Sequence, residues 1–99
     1  MKNLILKTTK VVEGTTEVPE YFRISHSQYY RIVSEKTYVL VYFPDITKEQ
    51  MESLTIYPEI QVRMVEHLYI HVQGNDIIEI TKEQFTEQFD ACMTFIDQL

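Results

Sequence analysis

The chain has 99 residues, of which 44% are hydrophobic, and it contains seven Tyr, five Phe, two Gly and one Cys. That length and apolar content suit one compact domain with its own core. Fifteen acidic residues against nine basic ones give a formal net charge of −6, which argues against a nucleic-acid or anionic-membrane surface.

The first quarter of the chain predicts two strands. Residues 1–12 carry leucine, isoleucine and valine with β-branched threonines between them, and residues 13–15 resemble a turn. Residues 18–24 predict a second strand, which begins after Pro19 or lies at a sheet edge because proline cannot donate to a ladder. No apolar stretch here or later reaches the length of a signal sequence or a membrane span, so we expect a cytoplasmic protein.

Three segments repeat one pattern for the start of a helix. An isoleucine precedes a Ser or Thr that can act as N-cap, a Gln follows three positions later, and a large apolar residue comes next. The pattern predicts a short helix from the first segment, about two turns from the second and the longest helix from the third. The segments are residues 24–29, 46–51 and 80–85.

The middle of the chain predicts further strands. Residues 37–43 are β-branched or aromatic except for the apolar Leu40, which is typical of a strand buried on both faces. Residues 60–72 alternate between apolar and polar, and Glu66 interrupts the apolar side, so we expect one bent strand or two with a tight junction. Residues 73–76 contain Gly74 and read as a hairpin turn, after which residues 77–80 return antiparallel.

The last helix has one apolar stripe, and with it the fold class is defined. We predict a single α+β domain over residues 1–99 with a mainly antiparallel sheet of about five or six strands, two short helices, and a longer C-terminal helix packed on one face. The stripe of that helix consists of Phe85, Phe89, Cys92, Met93, Ile96 and Leu99.

Candidate catalytic and metal-binding residues are few. His67 and His71 would stand roughly 13 Å apart along one straight strand, too far to share an ion. Cys92 is single, which excludes an internal disulfide, and it lies on the inward stripe of the last helix, where it behaves as a core residue. No Gly-rich phosphate loop or nucleophile elbow is present. We therefore assign no catalytic, metal or cofactor-binding residue and expect no cofactor.

Aromatic residues carry the best functional indication. Only one helix is long enough to cover a sheet face, and the two shorter helices can cover part of the second face at most. The face of the strand at 37–43 that bears Tyr38, Leu40 and Tyr42 is therefore expected to stay partly uncovered and to bind a second copy or another protein. Tyr69 is a further candidate for this interaction. The expectation is a non-catalytic interaction or structural accessory protein, with a bacterial or phage-like composition and no nucleic-acid or membrane partner.

Two alternatives stay open. One is an acidic inhibitor that imitates nucleic acid, for which the charges would have to cluster on one face. The other is a small enzyme with a site near His67 or His71, which would need a cleft that places carboxylates beside a histidine.

Overall fold

The computed structural model describes residues 4–8 and 14–98, which form a two-stranded hairpin, a five-stranded antiparallel sheet and several helices. The fold class predicted from the sequence is confirmed. The strands are β1 (Leu4–Thr8), β2 (Gly14–Val18), β3 (Tyr21–Ser25), β4 (Gln28–Ile32), β5 (Thr37–Tyr42), β6 (Glu59–Met64) and β7 (Ile78–Glu79). The helices are α1 (Lys48–Leu54), a 3₁₀ turn (Val65–His67), α2 (Leu68–Val72) and α3 (Lys82–Asp97). In the sheet the strand order is β6-β5-β4-β3-β7.

Helix α3 covers one face of the sheet. Phe85 and Cys92 are buried there, and Phe89 and Ile96 are half-buried, as the apolar stripe predicts. Met93 belongs to the predicted stripe but is 41% exposed. It lies about 100° further round the helix than Cys92, which moves it to the flank of the contact.

The opposite face of the sheet is also covered, which contradicts the expected bare face of β5. Val65 of the 3₁₀ turn and Leu68 and Val72 of α2 pack over Tyr38 and Leu40. The prediction failed because residues 65–72, which provide the cover as helices, were expected to be extended. A short helical segment provides the second cover, and Val18 at the end of the N-terminal hairpin belongs to the same buried cluster. The other buried residues of this cluster are Phe22, Tyr30 and Ile32.

Two of the three predicted capping boxes are confirmed. The Thr47 hydroxyl accepts from the Gln50 amide at 3.1 Å, and the Gln50 side chain accepts from the Thr47 amide at 2.9 Å. At Thr81 and Gln84 the matching distances are 3.1 and 2.8 Å. These boxes start α1 and α3.

The helix predicted from the first box is wrong. Ser25 ends β3, and its hydroxyl accepts from the amide of Ser27 at 3.3 Å in a turn that leads into β4. Tyr30 and Ile32 are buried on one face, two residues apart, which is the period of a strand. Because β4 lies between β3 and β5, both neighbours supply the backbone hydrogen bonds that a helix would have made internally.

The prediction for residues 60–80 holds only in part. The strand continues to Met64, after which residues 65–72 are helical rather than extended. Gly74 does adopt a positive φ of 75°, which suits the predicted turn. The returning segment β7, however, pairs with β3 and not with β6.

Candidate interaction surface

Strand β6 lies at the edge of the sheet, and its hydrogen-bond pattern shows which backbone groups are open. The Val65 amide donates to the Lys36 carbonyl at 2.8 Å, in register with the pairing of Thr37 and Met64. Hydrogen-bonded pairs alternate along an antiparallel ladder. The backbone groups of Glu59, Gln61 and Arg63 therefore point towards β5.

The other three residues of β6, namely Ile60, Val62 and Met64, direct their N–H and C=O groups away from the sheet. The β4–β5 ladder agrees with this alternation. The Val33 amide donates to the Thr37 carbonyl at 3.1 Å, so odd-numbered residues of β5 bond β4 and even-numbered residues bond β6. Within residues 4–8 and 14–98, no strand pairs with the outer side of β6.

The side chains of these outward-bonding residues form an apolar margin on the face covered by α3. Ile60 is half-buried beneath the helix, while Val62 is 72% exposed and Met64 is 53% exposed. Edge strands are usually protected by charges, proline or short length. At the other edge, β7 has two residues and is followed directly by α3, whereas β6 has six. Among the described strands of this sheet, β6 is the longer open edge.

The opposite face of β6 is polar and carries balanced charge. The side-chain amide of Gln61 donates to the carboxylate of Glu59. Arg63 lies at the other end, where its charge lowers the pKa of the neighbouring Tyr38 against a larger increase caused by burial. Burial, and secondarily Arg63, lowers the pKa of His71. The strand therefore presents one carboxylate and one guanidinium, two residues either side of Gln61.

The residues predicted for the interaction are not brought together on an open surface. Tyr38 and Leu40 are buried in the core beneath α2, and Tyr42 is half-buried. Tyr69 lies in α2, and its side chain falls outside what the structure describes. Tyr38 and Leu40 cannot contact a partner unless α2 is displaced.

The histidines and the cysteine occupy positions that differ in their exposure. His67 and His71 lie in the helical segment rather than on a strand, and His67 Nε2 is 3.5 Å from the Glu66 carboxylate. In the described part of the chain, no three potential metal ligands cluster. Cys92 is buried, and burial, together with the charge of Glu59, raises the pKa of its thiol. The thiol is therefore neutral near pH 7.

A cleft of about 260 Å³ lies between α3 and the sheet. Tyr21, Val39 and Phe89 form its apolar part, and the guanidinium of Arg31 stands 5.7 Å from the centre of the Tyr21 ring. A cation–π contact of this kind stabilises the pair locally. Among the side chains that line this cleft, none is a histidine or a cysteine.

The open edge carries only a weak signal in the sequence. Residues 59–64 alternate polar and apolar as any half-buried strand does. The strand order determines which strand lies at the edge of the sheet, and the sequence does not predict that β7 pairs with β3.

A comparison of the chain with protein-family models, curated proteins and solved structures finds no match. No helix within the described residues is both long and apolar enough to cross a membrane. The function proposed below therefore rests on the geometry of β6 and its surroundings.

Proposed function

We propose that this protein acts without catalysis, by binding protein at the open edge of β6, either another copy of itself or a different chain. The observation that supports the proposal is the row of outward backbone groups at Ile60, Val62 and Met64. This row lies next to side chains that are exposed and apolar.

The physical basis is strand addition. A further strand would satisfy the outward N–H and C=O groups of β6, and its own apolar side chains would cover Val62 and Met64. Backbone hydrogen bonds then supply binding that is largely independent of sequence, and the apolar margin supplies selectivity. The side chains of Tyr38 and Leu40 take no part, because they are already buried within one chain.

Amide hydrogen exchange can follow this edge residue by residue. The amides of Ile60, Val62 and Met64 should exchange quickly in dilute purified protein. They should become protected either at high concentration or in an extract of cells that make the protein. The inward amides of Gln61 and Arg63 act as an internal reference and should be protected under all conditions.

A matched pair of variants shows whether the edge is responsible. Val62→Lys places a charge at the edge, whereas Val33→Lys changes a comparably apolar residue, 47% exposed, that is not in the edge strand. Protection should be lost in Val62→Lys and retained in Val33→Lys. The proposal is overturned if the outward amides stay unprotected under both conditions, or if the two variants behave alike.

A further inference from the structure

We infer that the partner at the β6 edge is a second copy of the chain, and that the two β6 strands pair antiparallel about a two-fold axis at Gln61. This inference rests on the proposed function and names its partner and register. It would join two five-stranded sheets into one continuous ten-stranded sheet, with each copy giving the same residues to the contact.

The alternation of outward and inward backbone groups along β6 restricts the register. Within β6, only the even-numbered residues Ile60, Val62 and Met64 have outward backbone groups. To form hydrogen bonds across the contact, each must therefore lie opposite an even-numbered residue of the partner. A two-fold axis passes either through one residue, which then lies opposite its own copy, or between two neighbouring residues. The permitted axes within the strand therefore pass through single residues, and an axis between two residues would set outward groups against inward ones.

Charge selects among the permitted axes. With the axis at Gln61, Glu59 lies opposite the partner's Arg63, and the same pair recurs across the axis. With the axis at Val62, Arg63 would instead lie opposite the partner's Gln61, and Glu59 opposite the partner's Val65. Only the axis at Gln61 pairs both charges of the strand with opposite charges.

The same register also suits Ile60 and Val62 of the apolar margin, whereas Met64 lies opposite the partner's Pro58, which has no N–H to donate. Ile60 lies opposite the partner's Val62 in a hydrogen-bonded pair, so the exposed Val62 gains an apolar neighbour in each copy. Glu59 and the partner's Arg63 occupy a pair without hydrogen bonds, where opposite side chains come closest. Although the chain carries a net charge of −6, residues 59–64 are neutral in sum, so like charges do not meet at the strand.

Charge exchange tests the pairing directly. Glu59→Arg sets Arg against Arg and Arg63→Glu sets Glu against Glu, so each single variant should weaken dimerisation about ten- to a hundredfold in sedimentation equilibrium. An equimolar mixture of the two variants should dimerise as the wild type does, and so should the double variant. Glu87→Arg makes the same charge change on an exposed position of α3 and should leave the dimer unweakened.

Cross-linking tests the position of the axis independently. In a pair without hydrogen bonds at the axis, two Cα atoms lie about 4.5 Å apart, within reach of a disulfide. Gln61→Cys should therefore form a covalent dimer when treated with oxidised glutathione. Val62→Cys should not, because residue 62 lies opposite the partner's Ile60. The buried Cys92 is the same in both variants.

The outcomes separate this inference from the proposed function. A wild type that dimerises without following the charge-exchange pattern, or that cross-links through Val62→Cys, overturns the register and leaves edge binding intact. A wild type that stays monomeric at millimolar concentration while its edge is protected in extract overturns the second copy as partner. An edge that is never protected overturns both.

Discussion

Replacement of Tyr30 by Phe should stabilise the protein. Tyr30 is fully buried, its ring stacks on Phe22 at 4.8 Å, and among the described residues its hydroxyl has no hydrogen-bond partner. A buried polar group without a partner costs about 1–3 kcal/mol. Phenylalanine keeps the ring and its stacking but removes the hydroxyl, at the loss of a few dispersion contacts. We expect a net gain of about 1 kcal/mol.

Urea and thermal unfolding of the two proteins measure this gain. In a domain of this size, a gain of 1 kcal/mol corresponds to an increase in Tm of about 4–8 °C. Tyr29→Phe is the matched control, because the Tyr29 hydroxyl donates to the His26 carbonyl at 2.8 Å and its removal should cost about 0.5–1.5 kcal/mol. If Tyr30→Phe lowered stability as Tyr29→Phe does, the Tyr30 hydroxyl would be hydrogen-bonded, and the reasoning would be refuted.

Alkaline pH should enlarge the difference at Tyr30. Burial, and secondarily the neighbouring Tyr38, raises the pKa of Tyr30 from its ordinary value of 10.0 to about 12. The folded state therefore holds this proton more tightly than the unfolded state does. Its contribution to stability is complete below pH 10 and is lost as the pH rises towards 12. Tyr30→Phe lacks this loss, so its advantage in free energy of unfolding should increase between pH 10 and 12.

Three further predictions concern helix α3 and its surroundings. Thr81→Ala should lower the free energy of unfolding by about 1 kcal/mol in urea melts, whereas Ser25→Ala, which changes a turn rather than a helix cap, should lower it less. Equal losses would contradict the assignment of Thr81 as the N-cap of α3. Phe85→Ala should lower the free energy of unfolding by about 3–5 kcal/mol because this side chain is buried between α3 and the sheet. Phe95→Ala should lower it less because Phe95 is half-buried. The reverse order would mean that another face of the helix is buried. Cys92 is buried and its thiol pKa is raised, so it should react with a thiol-specific reagent at pH 7.5 only after unfolding. Fast labelling of the native protein would contradict this and show that α3 opens readily.

The elements that could be predicted from the sequence are those whose local preference agrees with their place in the fold. Helix α3 has a capping box, sixteen residues and an apolar stripe, all of which favour the same structure. Strand β5 is β-branched and aromatic on both faces and lies inside the sheet between β4 and β6. In both cases the tertiary contacts reinforce what the segment prefers by itself.

The failures occurred where contacts distant in the sequence decide the structure. Ser25 and Gln28 have the spacing of a capping box, but pairing with β3 and β5 holds the segment after Ser25 extended. Residues 65–72 alternate as a strand does, yet they fold as short helices, in which Val65, Leu68 and Val72 reach the core together. Spacings of three and four residues place these side chains on one face of a helix, whereas Val65 and Leu68 would point to opposite faces of a strand.

The candidate interaction surface could not be predicted from sequence for a related reason. The interaction residues expected at Tyr38 and Leu40 are large, apolar and aromatic, and such residues are favoured in cores as well as in interfaces. The open groups at Ile60, Val62 and Met64 belong to the backbone, which has the same chemistry at every position. Only the strand order reveals that no strand within the described residues pairs with these groups.

The order of the strands has a consequence for how the chain folds during synthesis. Strands β3 to β6 each pair with a sequence neighbour, so this part of the sheet can form from local contacts as soon as residue 64 is available. Helix α3 is made last, and until then the face bearing Val41 and Ile60 lacks its cover. In a chain growing from its N-terminus, that face is therefore the one that a chaperone would meet.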